Sequence, residues 1–164
     1  MLKLIKQAAK IVHLNVREEL HGEDQVLAMD VRLSCDLPNT FLDTLAPGLR
    51  LALYDKAAQG DLDAEHLSVA RFPLLAPIDW EGQMAGARLV IHVGKKSDDM
   101  EFDAKINKLR LAPKDGGTVT VWFRAQLLPD PPQVGLLSEY LGHKVKVSVT
   151  PGAVESAAKD GGHE

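Results

Sequence analysis

Residues 108 to 126 read Lys108-Leu-Arg-Leu-Ala-Pro-Lys-Asp-Gly-Gly-Thr-Val-Thr-Val-Trp-Phe-Arg-Ala-Gln126, two alternating runs on either side of an Asp-Gly-Gly turn. That pattern defines a β-hairpin. Along its second strand Val119, Val121, Phe123 and Ala125 share one face, which leaves Thr118, Thr120, Trp122, Arg124 and Gln126 on the other. A tryptophan and an arginine therefore point away from the core. If the first strand buries Leu109 and Leu111, Lys108 and Arg110 join them, and a basic, aromatic surface results. Upstream, Phe102, Ala104 and Ile106 alternate in a phase that does not match Leu109 and Leu111. A bulge near Asn107 and Lys108 reconciles the two.

The same alternation recurs around the hairpin. Val12, Leu14 and Val16 predict an inward face for residues 10–17, and Leu27, Met29, Val31, Leu33 and Cys35 repeat it after the His21-Gly-Glu-Asp24 link, giving a second hairpin. Leu89, Ile91 and Val93 mark another strand, with Arg88, Val90 and His92 opposite, and Val145, Val147 and Val149 mark a last one with Lys144 and Lys146 outward. Between strands, Asn39 or Thr40 is placed to cap a short helix carrying Phe41, Leu42 and Leu45, Pro47 to open a helix over about 48–58, and Gly82 and Gly86 to flank a loop around Met84. Val134, Leu137, Tyr140 and Leu141 recur at helical spacing, with Gly142 as the stop. The expected fold is α+β and β-dominated, with antiparallel hairpins forming a sheet or partly open barrel with two short helices. The chain divides into one β-rich domain, 1–150, and a disordered acidic tail, 151–164.

Composition narrows the function. With 164 residues, 45% of them hydrophobic, one well-cored domain is affordable. No run of about 18 apolar residues is present to span a bilayer, so the expectation is a soluble, cytoplasmic protein without a membrane partner. The lone Cys35 fits a reducing compartment and gives no repeated thiols for zinc. Six scattered histidines carry no metal-ligand spacing, and Asp61, Asp63 and Glu65 lack the glycine and terminal glutamate of a calcium loop. No nucleophile, base and orienter can be placed together from spacing, and neither a metal, a cofactor nor an enzymatic activity is expected. Net charge is −4, so nucleic-acid binding has to come from a local patch.

The candidate patch is Lys108, Arg110, Trp122, Arg124, Lys144 and Lys146. Unpaired bases stack on an indole and on guanidinium planes while ammonium groups follow the phosphates, a sequence-tolerant mode worth roughly 1 to 3 kcal/mol per base. The competing reading is an ordinary solvated sheet face, with Trp122 covered by a loop or by the helix around Val134 to Leu141.

Three stretches, Ala52-Leu-Tyr-Asp-Lys-Ala57, Phe72-Pro-Leu-Leu-Ala-Pro-Ile-Asp-Trp80 and Gly116-Gly-Thr-Val-Thr-Val-Trp-Phe-Arg-Ala-Gln126, resemble small bacteriophage or prophage proteins associated with recombination or replication functions. The resemblance implies an accessory role in DNA metabolism in a bacterial host, and the alternation that sets Trp122 and Arg124 outward points to single-stranded DNA as what the chain engages. The alternative class is a protein-interaction module that binds a host or phage protein, such as an inhibitor of a host defence or nuclease complex, or a virion structural component. Its surface would be the acidic stretches Glu18 to Asp24 and Asp98 to Glu101, which imitate phosphate charge. Open hairpin edges make a homodimer the expected assembly if the chain self-associates.

Overall fold

The computed structural model describes residues 1–57, 67–75 and 77–156. The hairpin of 108–126 forms as the sequence dictates, from β7 (Met100–Pro113) and β8 (Thr118–Leu127), after β1 (Leu4–His21), β2 (Asp24–Pro38), β3 (Tyr54–Lys56), β4 (Leu67–Ala70), β5 (Ile78–Trp80) and β6 (Gly82–His92). The chain continues through β9 (Lys144–Thr150) and β10 (Ala153–Ser156). The main sheet runs β10-β6-β9-β1-β2-β8-β7-β5, and β6 also pairs with β7, so the sheet curls back on itself. It is antiparallel and partly ring-like. It is not a barrel, and its strands are unequal, 18 residues in β1 against 7 in β9. Among the described residues three short helices accompany it: α1 (Leu42–Leu45), α2 (Leu49–Leu53) and α3 (Pro131–Glu139). Beyond Thr150, β10 pairs with β6, while 157–164 lie outside the described residues, as does the Asp61 to Glu65 loop.

The concave side of the sheet holds the core. Val119, Val121, Phe123 and Ala125 of β8 are fully buried there with Met29, Val31 and Leu33 of β2, and Val145, Val147 and Val149 of β9 close the same interior. Each large side chain withdrawn from water contributes about 1.5 to 3 kcal/mol. The phase conflict in β7 is resolved by one extra residue: Asn107 pairs with Arg124 and Arg110 with Trp122, so Lys108 and Leu109 span what Phe123 spans alone. Lys108 takes a left-handed φ of 56°. Phe102, Ala104, Ile106, Leu109 and Leu111 thereby all face inward.

Other local expectations are corrected. Neither Asn39 nor Thr40 caps a helix; a single 3-10 turn, Asn39–Phe41, precedes α1 without a side-chain cap. Asn39 is buried instead, its Nδ2 donating to the Leu67 carbonyl and its Oδ1 accepting from Arg50 Nε at 2.8 Å. The helix expected over 48–58 stops at Leu53, because Tyr54 leaves it to enter β3. The Tyr54 side chain is fully buried and its hydroxyl lies 2.9 Å from the Lys114 carbonyl and 3.0 Å from that of Thr118, clasping the β7–β8 turn. Residues 82–86 are strand, not loop: Met84 is fully buried, and Gly86, at φ 64°, absorbs an extra residue between Met84 and Ala87. In β1 the inward residues are Ala9 and Ile11, and Val12 is the bulged residue between Ile11 and His13, left 42% exposed. Leu14 and Val16 then sit opposite Val31 and Met29 on the inner side. Finally, α3 starts three residues before Val134, because Asp130 and Gln133 form a reciprocal capping box and Pro131 and Pro132 occupy first-turn positions that need no amide donor.

Candidate nucleic-acid interface

Strand register assembles the outer face. One row crosses the sheet from Asp79 of β5 through Arg110, Trp122, Ser34 and Lys10 to Lys144 of β9. A second row runs Asn107, Arg124, Arg32, His13 over β7, β8, β2 and β1. Of the six residues expected from sequence, Arg110 and Trp122 are direct cross-strand neighbours, Arg124 is two residues along β8 from Trp122, and Lys108 projects from the adjacent bulge. Lys144 lies in the Trp122 row but three strands away, about 14 Å along a curving surface at the usual strand spacing. Lys146 lies opposite Ala8 and His92, beyond that row. The sequence patch is thus a compact group of four with two lysines round the curve.

Trp122 is half-buried on this convex face. The helix that could have covered it is engaged elsewhere: Leu137 of α3 is buried in the core, the Tyr140 hydroxyl donates to the Val93 carbonyl, and the Gly142 amide to the Ile11 carbonyl at 2.8 Å. The other tryptophan, Trp80, pairs with Leu109 and packs against the core, its ring lying where a Cβ on Gly82 would fall.

Arg32 is the residue missed by sequence reading. It alternates outward between buried Val31 and Leu33, a legible signal, but its position beside Arg124 follows from β2 pairing with β8, which local pattern does not give. Two arginines side by side, with His13 next in the row, repel one another. Arg124 is oriented by donating its Nε to Asn107 Oδ1 at 2.9 Å, and Asn107 in turn donates to Gln126. Arg32 has no hydrogen-bond or ion-pair partner among the described residues, whereas Arg110 is held by Asp79 at 2.7 Å, an exposed pair of little energetic weight. A groove of about 310 Å³ is lined by His13, Asn15, Asp30, Arg32 and Arg124. Arg32 also lines a larger one, about 620 Å³, shared with Asn107, Lys108 and Arg110. Below them burial works against ionisation of Asp30, but hydrogen bonds from Arg17 and Gln126, with the charges of Arg17 and Arg124, hold its pKa below the ordinary value.

Cys35 is buried on the inner face, where desolvation, with the nearby charge of Asp36, pushes its thiol up to about 12. It is a small core residue. One arrangement escaped sequence spacing: Asp99 Oδ2 lies 2.9 Å from His92 Nδ1, and His92 Nε2 lies 2.9 Å from Ser148 Oγ. This has the order of an orienter, base and nucleophile. The Lys6 amide is bonded to Ser148 Oγ itself at 3.0 Å, so it is not free for a developing oxyanion, and the trio ties β6 and β9 to a second irregularity of β1, between Leu4 and Gln7. Among the described residues no cluster of three metal-ligating side chains occurs, and no helix is long and apolar enough to cross a membrane.

Searches of the chain against protein-family models, curated proteins and solved structures find no match.

Proposed function

We propose that the chain is a non-enzymatic binding protein that engages single-stranded nucleic acid, DNA in a phage-type recombination or replication setting, across the convex face of β7, β8, β2 and β1. The observation that carries this reading is a partly buried Trp122 on the outer face, set beside Arg110 in register, with Arg124 and Arg32 in the next row. The indole and the arginine planes offer stacking surfaces, and Arg32, Arg124 and His13 lie along a groove that a phosphodiester backbone can follow. Single strands suit it because their bases are free to stack, and because a net charge of −4 gives no general attraction to duplex.

The rival reading, an acidic surface that binds a basic protein partner, has less to draw on. Of its two stretches, Asp98 to Glu101 is engaged internally, Asp99 with His92 and Glu101 with Arg88. Titrating a labelled oligonucleotide with the protein across a salt series tests the proposal. Binding at low salt that weakens linearly on a log–log plot, with a slope of a few phosphate contacts, is the expected result. Absence of binding at low salt, with capture of a protein partner that is lost on neutralising Glu18, Glu23 and Asp24, favours the rival.

A further inference from the structure

The β1–β2 hairpin is longer than the sheet that supports it. β9 leaves β1 at Lys10 and β8 leaves β2 at Met29, yet the hairpin continues to the pair His21 and Asp24. Among the described residues, the β1 edge from His13 to His21 therefore has its β2 side paired and its other side open. An open edge of nine residues without proline is a template for another strand. It also carries apolar side chains in the open, Val16 at 47% and Leu20 at 72% exposed, and the bulged Val12 just before it is 42% exposed. Leu141, 48% exposed, lies next to this edge, because the Gly142 amide bonds the Ile11 carbonyl and the Ile11 amide bonds the His143 carbonyl.

Charge is distributed unevenly along the same strand. Its first half carries Lys10 and His13; its far half and the turn carry Glu18, Glu19, Glu23 and Asp24 against Arg17 and His21, and so are net acidic. Lys10, His13, Glu18, Glu23 and Asp24 have no partner among the described residues, whereas Glu19 is shared with Arg17 and His21. Antiparallel pairing of this edge with its own copy sets the basic half of one against the acidic half of the other, whereas parallel pairing sets like against like.

We infer that the chain forms a two-fold dimer by antiparallel pairing of the β1 edges, centred on Val16. In that register Val16 meets its own copy, His13 meets Glu19, and Leu20 comes up against the partner copy's bulge at Val12. The apolar stripe is covered and both backbone edges are satisfied in one step. A two-fold axis perpendicular to the sheet keeps both convex faces on the same side, so the two His13, Arg32, Arg124 rows share one extended surface. The inference stands whether or not that surface binds nucleic acid.

Sedimentation equilibrium of the full chain across the micromolar range tests it, with a mass twice 17.9 kDa expected. The double substitution Val16→Lys/Leu20→Lys is expected to sediment as the single chain with an unchanged circular dichroism spectrum. Should that variant fail to fold, Val16→Cys decides. Directly opposed residues of an antiparallel pair have Cα atoms about 4.5 to 5.5 Å apart, within disulfide reach, so mild oxidation links the copies through the introduced thiols, and native Cys35 is too buried to compete. Ile5→Cys, exposed but away from the axis, is the control. A wild-type chain that stays monomeric throughout, or a Val16→Cys chain that links no faster than Ile5→Cys, overturns the inference.

Discussion

Deleting Lys108 tests the physical reading of the hairpin more severely than any substitution. The bulge lets two runs of opposite phase, Phe102-Ala104-Ile106 and Leu109-Leu111, face one interior. Without the extra residue one run must turn outward, because side chains alternate with period two and a one-residue slip reverses the faces. If the upstream run flips, Phe102 and Ile106 are exposed and Asp103 and Lys105 driven inward; if the downstream run flips, Leu109 and Leu111 are lost. Either way two large side chains, each worth about 1.5 to 3 kcal/mol, leave the core, a loss of about 3 to 6 kcal/mol before any buried charge is counted. Against a typical domain stability of about 5 to 15 kcal/mol, that removes a large share of it. Lys108→Gly is the matched control. It keeps the residue count, and since a non-glycine residue is penalised by roughly 1 kcal/mol or more at positive φ, the change should leave stability within about 1 kcal/mol, on the favourable side. Urea unfolding followed by tryptophan fluorescence compares the three chains. A Lys108 deletion that unfolds at the wild-type midpoint would show that β7 does not owe its two-phase burial to this bulge.

Three further outcomes follow from the core and its borders. Cys35, with its thiol pushed up to about 12 by burial, should resist alkylation in the native chain at neutral pH and react fully in denaturant; rapid native labelling read by mass spectrometry contradicts its placement. Asp130→Ala removes the capping box of α3 and is expected to cost about 1 kcal/mol in a thermal or urea melt. Asp30, held below its ordinary pKa of 3.8, stabilises the fold at pH above that value, a contribution lost as pH falls through the lower folded value. Asp30→Asn should therefore lower stability at neutral pH and flatten its decline in acid, and equal acid limbs for the two chains count against the Arg17 and Gln126 contacts.

The strands were legible where a single alternation could be followed: β8, β9, the inward residues of β2, and the bulge in β7 that two clashing phases demanded. What escaped was set by partners distant in sequence. Tyr54 leaves a helical run because its hydroxyl is wanted at the β7–β8 turn, 60 residues further on. Val12 reads as inward until the bulge in β1 is known, and residues 82–86 read as loop because their two glycines carry the turn signal although one of them only absorbs a bulge. The site divides in the same way. Trp122 and Arg124 follow from the alternation of one strand, whereas Arg32 and His13 join them only through the β8–β2–β1 pairing order. Lys144 and Lys146, grouped with them by phase alone, are carried round the curve by the intervening β2 and β1.

The proposal that bases stack on the convex face rests on one indole and the guanidinium beside it. Equilibrium binding of a labelled oligothymidine strand at low salt, compared between the wild-type chain and Trp122→Ala/Arg124→Ala, measures it directly. Loss of one stacked base alone predicts affinity weakened roughly 5- to 150-fold with the fold retained. A double variant that binds as tightly as wild type would contradict it.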